Sequence, residues 1–576
     1  MSEGFFFGVQ QACRPLPSPS SIKKWNRFAS RLHSSALAVF ETTADMNAID
    51  PISAISLLQQ ARQYVMAGEL ADAEQCYRLL LTNEPNHVEA LYRLALLLQQ
   101  MNRQPEESLH LLDAAIAAQP GNPLLHSAKA ISLAAQQRPL EGLESMAEAA
   151  CLHAGDLGVL YNFGLLLADL CCPAQMEAIA RRLLEACPDW PAAHYLLVRA
   201  LTALAGNPRE LEAGYDFLIK TDPLNPSLLY ARGLQQIRGG DYTAGWEAYE
   251  WRWEIEPVKS SRIASPKPRW AGGPLAGRRL LILGEQGFGD VLQFCRYLPL
   301  LIEKGAHVIL RLDANRAALA RLLGRIEHLE VVVEPPELPA HDLYCPLASL
   351  PYVFGTTPDN IPPASYLNVD EADVAAWRER LAAFPRPWIG VCWAGSAEHD
   401  HDIRRSLPLC ADSQYFVERR QREQRIGAVA ARVAQAWEMD ELVRAAALDT
   451  APLRLTMEAM LQERAGSYVS LQVGPHAQAL DQLPASLRGR FFAPLTSEHD
   501  FYDTACLVRA LDEVITVDTS VAHLTGSLGQ RGTVIKPAAP EWRWTARSGR
   551  SIWYPSLSLV EQDVLREKMM GEALSG

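Results

Sequence analysis

The chain of 576 residues is too long to fold around one hydrophobic core, so several domains are expected. Its 48% apolar and 21% charged residues are ordinary for a globular protein, and its net charge of −13 argues against a general nucleic-acid binder. No apolar run approaches the roughly 20 residues that span a bilayer, so we expect a soluble protein without a transmembrane segment. The 11 cysteines lack the spacing of a metal or disulfide framework, which favours reduced thiols and a cytoplasmic location.

The first segment, residues 1–50, differs from the rest in composition. Prolines alternate with serines in it, and its opening run Phe5-Phe6-Phe7 is too short for the apolar core of a secretory signal. We interpret the segment as a disordered leader, which a start codon placed upstream of Met46 would also produce. A transit peptide is the alternative interpretation.

From residue 51 to 256 the chain repeats itself about every 34 residues. Small residues that allow two helices to approach closely recur at this interval, at Ala61, Ala95, Ala130, Gly164 and Gly233. Val198 stands where the fifth repeat should have its small residue. Prolines that would follow the second helix of a pair recur at the same interval, at Pro85, Pro120, Pro188 and Pro223.

This pattern resembles the tetratricopeptide repeat and predicts an α solenoid of about six helix pairs. One pair cannot bury its own apolar face, so neighbouring pairs have to stack. The repeat pattern predicts the fold but does not indicate which ligand the repeats bind. The repeats could hold a partner or an acceptor polypeptide, or they could be a structural or dimerising arm.

After Trp270 the pattern changes to alternating strands and helices, which predicts an α/β architecture with two Rossmann-like domains, residues 257–384 and 385–576. A proline-bearing linker around 362–387 would join them. The predicted strands are Arg279–Gly284, His307–Arg311, Leu329–Val333 and Asp342–Tyr344 in the first domain, and Trp388–Trp393, Tyr468–Gln472, Glu513–Asp518 and Gly532–Lys536 in the second.

A glycine-rich loop follows the first predicted strand. It contains Gln286, Gly287 and Gly289, and a helix is predicted to open at Asp290. A strand, a glycine turn and a helix N-terminus together favour phosphate binding, because free N–H groups and the helix dipole attract anions. The loop matches neither the Walker sequence nor the dinucleotide-binding glycine spacing, so alone it is a weak signal for a phosphate or acceptor loop.

Four motifs extend the pattern, and their order and spacing resemble glycosyltransferase family 9, the ADP-heptose:lipopolysaccharide heptosyltransferase family. They are Gly284–Gln293, Trp393–Ser396, Arg404–Pro408 and Val517–His523. The closer resemblance is to bacterial proteins that fuse tetratricopeptide repeats to such a domain. These proteins carry a Trp-Arg-Trp and a Trp-Tyr-Pro near the end, as at Trp542–Trp544 and Trp553–Pro555.

The resemblance implies a GT-B fold with a nucleotide-sugar donor on the C-terminal domain and the acceptor facing the N-terminal domain. It implies inverting, metal-independent transfer, with no cofactor apart from the donor substrate. Asp290 matches the family's base, which takes the proton of the acceptor hydroxyl. A helix N-cap is the structural alternative for this residue.

On the donor side, Arg405, or else Arg404, matches the family's cation near the diphosphate. A surface salt bridge is the alternative. The preceding run Glu398-His-Asp-His-Asp402 contains a D-x-D pattern and two histidines that could suggest a manganese site. Because GT-B donors need no metal, we predict none here.

The last motif supplies the remaining predicted donor contacts. The N–H groups of Thr519 and Ser520 could donate to phosphate, and Asp518 could hold sugar hydroxyls, with an N-cap as its alternative role. His523 also matches the family pattern. A buried structural histidine is its alternative.

The chain departs from the family in two places. The stretch 410–467 is about twice the usual length and reads as an inserted helical hairpin near the cleft, either a lid, a partner surface or a tolerated surface excursion. Lys536 occupies a strand position that is usually apolar, which puts the packing of that strand and the competence of the site in question.

We therefore expect a glycosyltransferase that moves a sugar from a nucleotide-sugar donor to a protein or lipopolysaccharide-type glycan. Its plan is similar to that of O-linked N-acetylglucosamine transferase, an analogy at the level of fold only. The alternative is a non-catalytic repeat scaffold with a degenerate transferase domain, and a third interpretation is a sugar-nucleotide sensor. A homodimer through the repeats is possible.

Overall fold

The structure is a computed structural model that describes residues 51–256, 258–396, 402–450, 455–462, 464–537, 539 and 541–565. The predicted leader lies outside the described residues. The chain forms two compact units, one made of residues up to 225 together with 421–451, the other of 226–420 together with the residues from 452 on.

The repeats are antiparallel helix pairs with the predicted spacing. From the second pair on, the first helices begin at 88, 123, 157, 191 and 226, which is every 34 or 35 residues. The helices are α1 (Pro51–Ala67), α2 (Leu70–Asn83), α3 (Val88–Gln100), α4 (Pro105–Ala118), α5 (Pro123–Ala135), α6 (Pro139–Leu152), α7 (Leu157–Asp169), α8 (Pro173–Ala186), α9 (Pro191–Leu204), α10 (Pro208–Thr221), α11 (Pro226–Gly239) and α12 (Tyr242–Tyr249). The expectation of about six tetratricopeptide-type helix pairs is confirmed.

The small residues of the repeat pattern are buried where neighbouring helices of the solenoid meet. A Cβ added to Gly164 would lie 2.6 Å from Leu196, so a side chain has no room there. Val198 departs from the pattern, and its partner helix compensates. A Cβ on Gly214 would lie 2.5 Å from a methyl of Val198, so the second helix supplies the small residue that the first one lacks.

The second unit contains two parallel sheets. The first has the order β3-β2-β1-β4, with β1 (Arg279–Leu283), β2 (His307–Leu312), β3 (Leu329–Val333) and β4 (Leu343–Pro346). The second has the order β10-β11-β12-β9-β8-β5-β6-β7, with β5 (Trp388–Cys392), β6 (Ser467–Ser470), β7 (Phe491–Phe492), β8 (Glu513–Val517), β9 (Gly532–Lys536), β10 (Ala546–Arg547), β11 (Arg550–Ser551) and β12 (Leu557–Glu561). Only the two pairings at the β10-β11-β12 edge are antiparallel among the described strands.

Helices and short 3-10 turns connect these strands. The helices are α13 (Phe288–Phe294), α14 (Leu298–Glu303), α15 (Ala320–Leu323), α16 (Leu350–Val353), α17 (Glu371–Leu381), α18 (Asp402–Arg405), α19 (Gln414–Trp437), α20 (Asp440–Thr450), α21 (Met457–Leu461), α22 (Ala485–Arg488), α23 (Phe501–Ala510) and α24 (Ser520–Ser527). The 3-10 turns are Glu250–Glu254, Cys295–Tyr297, Ala314–Leu319, Leu347–Ser349, Pro475–Gln482 and Trp542–Trp544. No helix in the described part of the chain is long and apolar enough to cross a membrane.

All eight predicted strands form, each within two residues of its predicted ends. The strands β7 and β10 to β12 were not predicted. The segment predicted as a linker, 362–387, contains the helix α17, which packs on α23. Its start is fixed by Tyr502, whose hydroxyl donates to Asp373 at 2.8 Å.

The sixth helix pair, α11 and α12, belongs to the second unit. Trp246 of α12 packs edge-on against Trp542 and Trp553, with ring centroids 5.2 and 6.2 Å apart, and donates its Nε1–H to the carbonyl of Thr356. The sequence suggested one repeat domain up to residue 256, whereas the compact units divide at 225. The aromatic contacts give the reason, because large buried rings of this pair share one core with the α/β part.

Lys536, the polar residue in β9, has a specific partner. It is 6% exposed and donates to Glu561 at 2.8 Å, and the two residues face each other in the register of β9 and β12. The expected packing defect is therefore absent at this residue, since the buried ammonium is neutralised by the adjacent strand.

Removing the carboxylate should cost more than removing the amine. We expect Glu561→Gln to lower the free energy of unfolding by about 1–2 kcal/mol, because it leaves a buried ammonium unpaired, and Lys536→Met to cost less. Urea titration followed by tryptophan fluorescence measures both. A larger loss for Lys536→Met would show that the ion pair itself stabilises the strand.

The inserted hairpin, helices α19 and α20, packs on the repeats over its residues 421–450. Its stripe of buried residues is Ile426, Ala430, Val433, Trp437 and Leu442. The prediction of helices in the insertion is confirmed. The interpretation as a tolerated surface excursion is wrong, because this apolar stripe is buried within the first unit.

Polar contacts fix the hairpin to the second helices of the third and fourth repeat pairs. Trp437 donates its Nε1–H to the carbonyl of Ala150 at 3.0 Å. Arg425 pairs with Glu144 at 2.8 Å. These contacts lie on α6, and the hairpin reaches α8 through a carboxylate.

Asp449 caps helix α8 from outside that helix. Its two carboxylate oxygens each accept one N–H, from Ala174 and Gln175, both at 3.0 Å. The residue before α8, Cys172, provides no side-chain cap. A carboxylate at this place satisfies two of the unpaired N–H groups of the first turn and interacts favourably with the helix dipole.

Loss of this cap should be visible in the repeats and not only in the hairpin. We expect Asp449→Ala to speed amide exchange in the segment 173–186 by about fivefold to tenfold, which corresponds to a cap worth about 1 kcal/mol. Hydrogen-exchange mass spectrometry measures it. Glu441→Ala, which removes a carboxylate from the exposed face of the same hairpin, is the control, and equal effects of the two variants would contradict the cap.

Candidate active site

The glycine loop connects β1 to α13 at the carboxyl edge of the first sheet. A Cβ on Gly284 would lie 2.8 Å from Leu312, so the strand end packs too closely for a side chain. Gln286 adopts a positive φ of 64°, and Gly287 is the residue that precedes the helix. The turn is therefore tight, and it is held in shape by contacts outside it.

The glycine loop is held by Tyr249, the last residue of the sixth helix pair, and by Arg252, which follows that pair. Arg252, 2% exposed, donates to both oxygens of Glu285, at 2.9 and 3.2 Å. Burial alone would lower the pKa of Arg252, but the carboxylates of Glu285 and Glu250 raise it above its usual value. The side chain of Gln286 donates to the hydroxyl of Tyr249 at 2.9 Å.

Asp290 lies in the first turn of α13. The helix begins at Phe288, two residues before the predicted start, and Gly287 is its N-cap. Asp290 is therefore not the N-cap residue itself, but its carboxylate does cap the start of the helix, which is the structural role that the N-cap interpretation expected. Its Oδ2 reaches back and accepts the N–H of Gly287 at 3.0 Å, as the third residue of a helix does in a capping box.

The other oxygen of Asp290, Oδ1, forms an ion pair with Arg543. Arg543 also pairs with Glu541 and stacks on Trp542, with its guanidinium carbon 4.5 Å from the ring centroid. Burial lowers the pKa of Arg543, but the two carboxylates raise it well above its usual value. The arginine is thus a permanent cation beside the predicted base.

On the second sheet, Arg405 ends helix α18. Its side chain is 17% exposed, and its Nε pairs with the buried carboxylate of Asp402 at 3.2 Å. A Cβ on Gly395 would collide with the guanidinium, so the arginine lies directly over that loop. Because the partner is buried, the alternative of a surface salt bridge does not fit.

Asp518 and Thr519 follow strand β8 at its carboxyl edge. Thr519, and not Asp518, is the N-cap of α24, so the N-cap interpretation of Asp518 is wrong. The Thr519 hydroxyl lies 3.2 Å from that of Thr516, on the sheet side. Ser520 is the first residue of α24, so its N–H belongs to the first turn, as predicted.

Burial and the negative charge of Glu541 raise the pKa of Asp518 to about 6, against the opposing charge of Arg405. This carboxyl therefore titrates close to neutral pH. Its charge state therefore depends on burial and on charged residues from segments distant in the chain.

His523 of α24 lies at the contact between the two sheets. It is 4% exposed, and its Nδ1 lies 3.0 Å from the hydroxyl of Tyr554. A Cβ on Gly289 would lie 2.7 Å from the imidazole ring. Burial lowers the pKa of His523 well below its usual value, and Arg543 acts in the same direction, so the ring is neutral.

The fold thus gathers the predicted residues of the two sheets around Asp290 and Asp518. Sequence reasoning assigned no role to Arg543, Glu541 or Arg252, although Arg543 stood in a quoted motif. A charged residue between two tryptophans was the available signal, because buried aromatic surroundings force a charge to find a partner.

The prediction that the D-x-D run binds no metal concerns residues that mostly lie outside the described part of the chain. Residues 398–401 of the D-x-D run lie outside the described residues. Asp402, the last of the run, accepts from Ser406 at 2.6 Å and pairs with Arg405. Within the described ranges, no cluster of three or more His, Cys, Asp or Glu side chains is arranged to hold a metal ion.

Comparison with known proteins gives distant relatives. No family model matches the chain. It is 25% identical over 533 residues to the protein FlbA of Caulobacter vibrioides, covering 88% of this chain and 80% of FlbA. Among solved structures, YrrB, described as a TPR protein with an unusual peptide-binding site, is 20% identical over 31% of this chain and 92% of YrrB, with a TM-score of 0.28.

PilW, a type IV pilus biogenesis factor, is 18% identical over 37% of this chain and 99% of PilW, with a TM-score of 0.33. The sequence identities and TM-scores of both solved structures are low. The repeat fold of this chain therefore rests on its own helix spacing and burial, given above.

The raised pKa of Asp518 should make stability depend on pH with a definite sign. Between its ordinary value of 3.8 and about 6, the folded state keeps a proton that the unfolded state has lost. This carboxyl therefore lowers the free energy of unfolding as pH rises through that window. We expect Asp518→Asn to be neutral at pH 4 and stabilising by about 1–2 kcal/mol at pH 7.5.

Thermal denaturation at the two pH values measures the effect. Asp359→Asn, which removes a carboxylate that is 82% exposed, is the control and should change little at either pH. A stabilisation of Asp518→Asn that is equal at both pH values would contradict the raised pKa.

Proposed function

We propose that the second unit is a metal-independent, inverting glycosyltransferase of the GT-B kind, similar to glycosyltransferase family 9, that takes its sugar from a nucleotide-sugar donor. One observation carries the proposal. The Asp290 loop at the carboxyl edge of one parallel sheet touches His523, which follows the carboxyl edge of the other. Ligands of open α/β sheets bind at such edges.

The reaction needs a base and a cation in the same place. In our proposal, Asp290 accepts the proton of the acceptor hydroxyl as its oxygen attacks the anomeric carbon. Arg405 offsets the charge that develops on the leaving diphosphate. Its side chain is 17% exposed, so water screens this interaction less than on an open surface.

The remaining groups bind the donor. Asp518 is a hydrogen-bond partner for sugar hydroxyls, and the first N–H groups of α24, at Ser520, can donate to phosphate. His523, being neutral, keeps one nitrogen for Tyr554 and presents its other edge to the glycine loop. The glycine loop, with Gln286, forms the acceptor side.

The repeats bind a protein in this proposal, either the acceptor itself or a partner. Stacked helix pairs present long surfaces that suit polypeptides. A protein acceptor is thus favoured over a lipopolysaccharide-type glycan. A cytoplasmic location and a homodimer through the repeats stay predictions.

The second candidate function is a non-catalytic scaffold with a degenerate transferase domain. The ion pair between Asp290 and Arg543 favours it, because it occupies the predicted base. The raised pKa of Asp518 beside the guanidinium of Arg405 favours the enzyme, since carboxyls with perturbed pKa values cluster at functional sites.

Donor binding separates the two functions. Calorimetry against nucleotide-diphosphate sugars should identify one donor, with Arg405→Gln weakening its binding at least tenfold because a charge-assisted contact is lost. Arg404→Gln, the adjacent arginine, is the matched control and should bind normally. Asp290→Asn should still bind the donor while losing transfer of labelled sugar into a bacterial extract.

Absence of binding to any donor would reject the enzyme and leave the scaffold. Equal loss of binding in Arg404→Gln and Arg405→Gln would reject the assignment of the diphosphate to Arg405. Sugar transfer that persists in Asp290→Asn would reject Asp290 as the base.

A further inference from the structure

Both oxygens of the predicted base are engaged. Oδ2 of Asp290 accepts the N–H of Gly287, and Oδ1 is ion-paired with Arg543. Each carboxylate oxygen keeps a second lone pair, but a partner already bound competes with proton transfer from an acceptor hydroxyl. The proposed function therefore raises the question of which of the two partners is displaced, and when.

The contact with Gly287 is local and belongs to the helix cap, so it persists as long as α13 begins there. The contact with Arg543 joins positions 253 residues apart in the chain. It depends on one side chain with several rotatable bonds. Arg543 is thus the partner that can be exchanged without disturbing the loop.

The environment of Arg543 suits the binding of a further anion. Its side chain is 12% exposed, and its Nε–H is buried without a hydrogen-bond partner among the residues that the structure describes. Its charge is maintained by Glu541 as well as by Asp290. A buried guanidinium with an unused donor suits a phosphate oxygen, because the planar fork of arginine binds such groups in pairs of hydrogen bonds.

We propose that Arg543 is ion-paired with Asp290 until the diphosphate of the donor binds the guanidinium in place of Asp290. This exchange frees Asp290 to act as base. This inference rests on the proposed glycosyltransferase function. It makes binding ordered, with the nucleotide diphosphate sugar first and the acceptor second. It also makes Arg543 a second cation for the leaving group, beside Arg405.

The chemical step then balances. The acceptor O–H gives its proton to Asp290, and the acceptor oxygen forms a bond to the anomeric carbon. The bond from that carbon to the diphosphate oxygen breaks, and its electron pair stays on the diphosphate. Arg543 and Arg405 bind the resulting charge. When the diphosphate leaves, Asp290 gives its proton to water and Arg543 pairs with it again.

If two anions compete for one guanidinium, removing one of them strengthens binding of the other. An ion pair with a purely structural role has no such effect. Asp290 and the diphosphate compete for Arg543, so neutralising Asp290 should tighten binding of the diphosphate. The gain should depend on Arg543 being present. A simple loss of repulsion between two anions would instead persist without the arginine.

The experiment is a double-mutant cycle on the full chain, with ADP, GDP and UDP as probes in calorimetry. We expect Asp290→Asn to bind the preferred diphosphate about tenfold more tightly than wild type, and Arg543→Gln about tenfold more weakly. The double variant should bind like Arg543→Gln. Arg547→Gln and Asp359→Asn, an exposed ion pair of the same unit, are the matched controls and should change nothing.

The outcomes separate the inference from the function. Binding that is lost in Arg405→Gln but not tightened in Asp290→Asn overturns the role of Arg543 and leaves the glycosyltransferase intact. A gain that persists in the Arg543→Gln background also overturns it. No binding of any diphosphate by wild type overturns both. If Arg543→Gln does not fold by circular dichroism, Arg543→Lys replaces it, with the same expected direction and a smaller loss.

Discussion

A buried ion pair between Arg252 and Glu285 fixes the glycine loop, and the position of the candidate base Asp290 depends on that loop. Its geometry has to be met closely, because a buried charge without its partner costs several kcal/mol. With the loop fixed, Gly289 meets the ring of His523 at the edge of the second sheet, and Asp290 stands one residue further on. Arg252 directly follows the sixth helix pair. Residues at the end of the repeats therefore position the glycine loop of the candidate site.

The inserted hairpin belongs to the repeat unit, although its sequence interrupts the α/β part. Its residues 421–450 contribute an apolar stripe and the carboxylate of Asp449 to the third and fourth repeat pairs. The faces of α6 and α8 that it covers are thereby taken by the chain itself. In the proposed function, a protein that binds these two repeats would have to use their first helices or displace the hairpin.

Much of the fold followed from local pattern. The 34-residue spacing predicted the helix pairs because helices can pack closely only where a small residue recurs, and apolar runs predicted eight strands because parallel strands are buried on both faces. Strands β7 and β10 to β12 were missed. Three of them have only two residues, and β12 is defined by its parallel pairing with β9. The division at 225 was also missed, since it depends on the rings around Trp246.

For the candidate site, the sequence by itself determined which loops carry polar groups, because Asp290 and Asp518 follow apolar strands. The tertiary structure decided what those groups do. Whether each caps its helix depended on the exact first residue of the helix. The partner of Asp290, Arg543, lies 253 residues away, and no local pattern encodes a contact at that separation. Charge pairing between distant segments is set by how the two sheets meet, which the tertiary structure alone specifies.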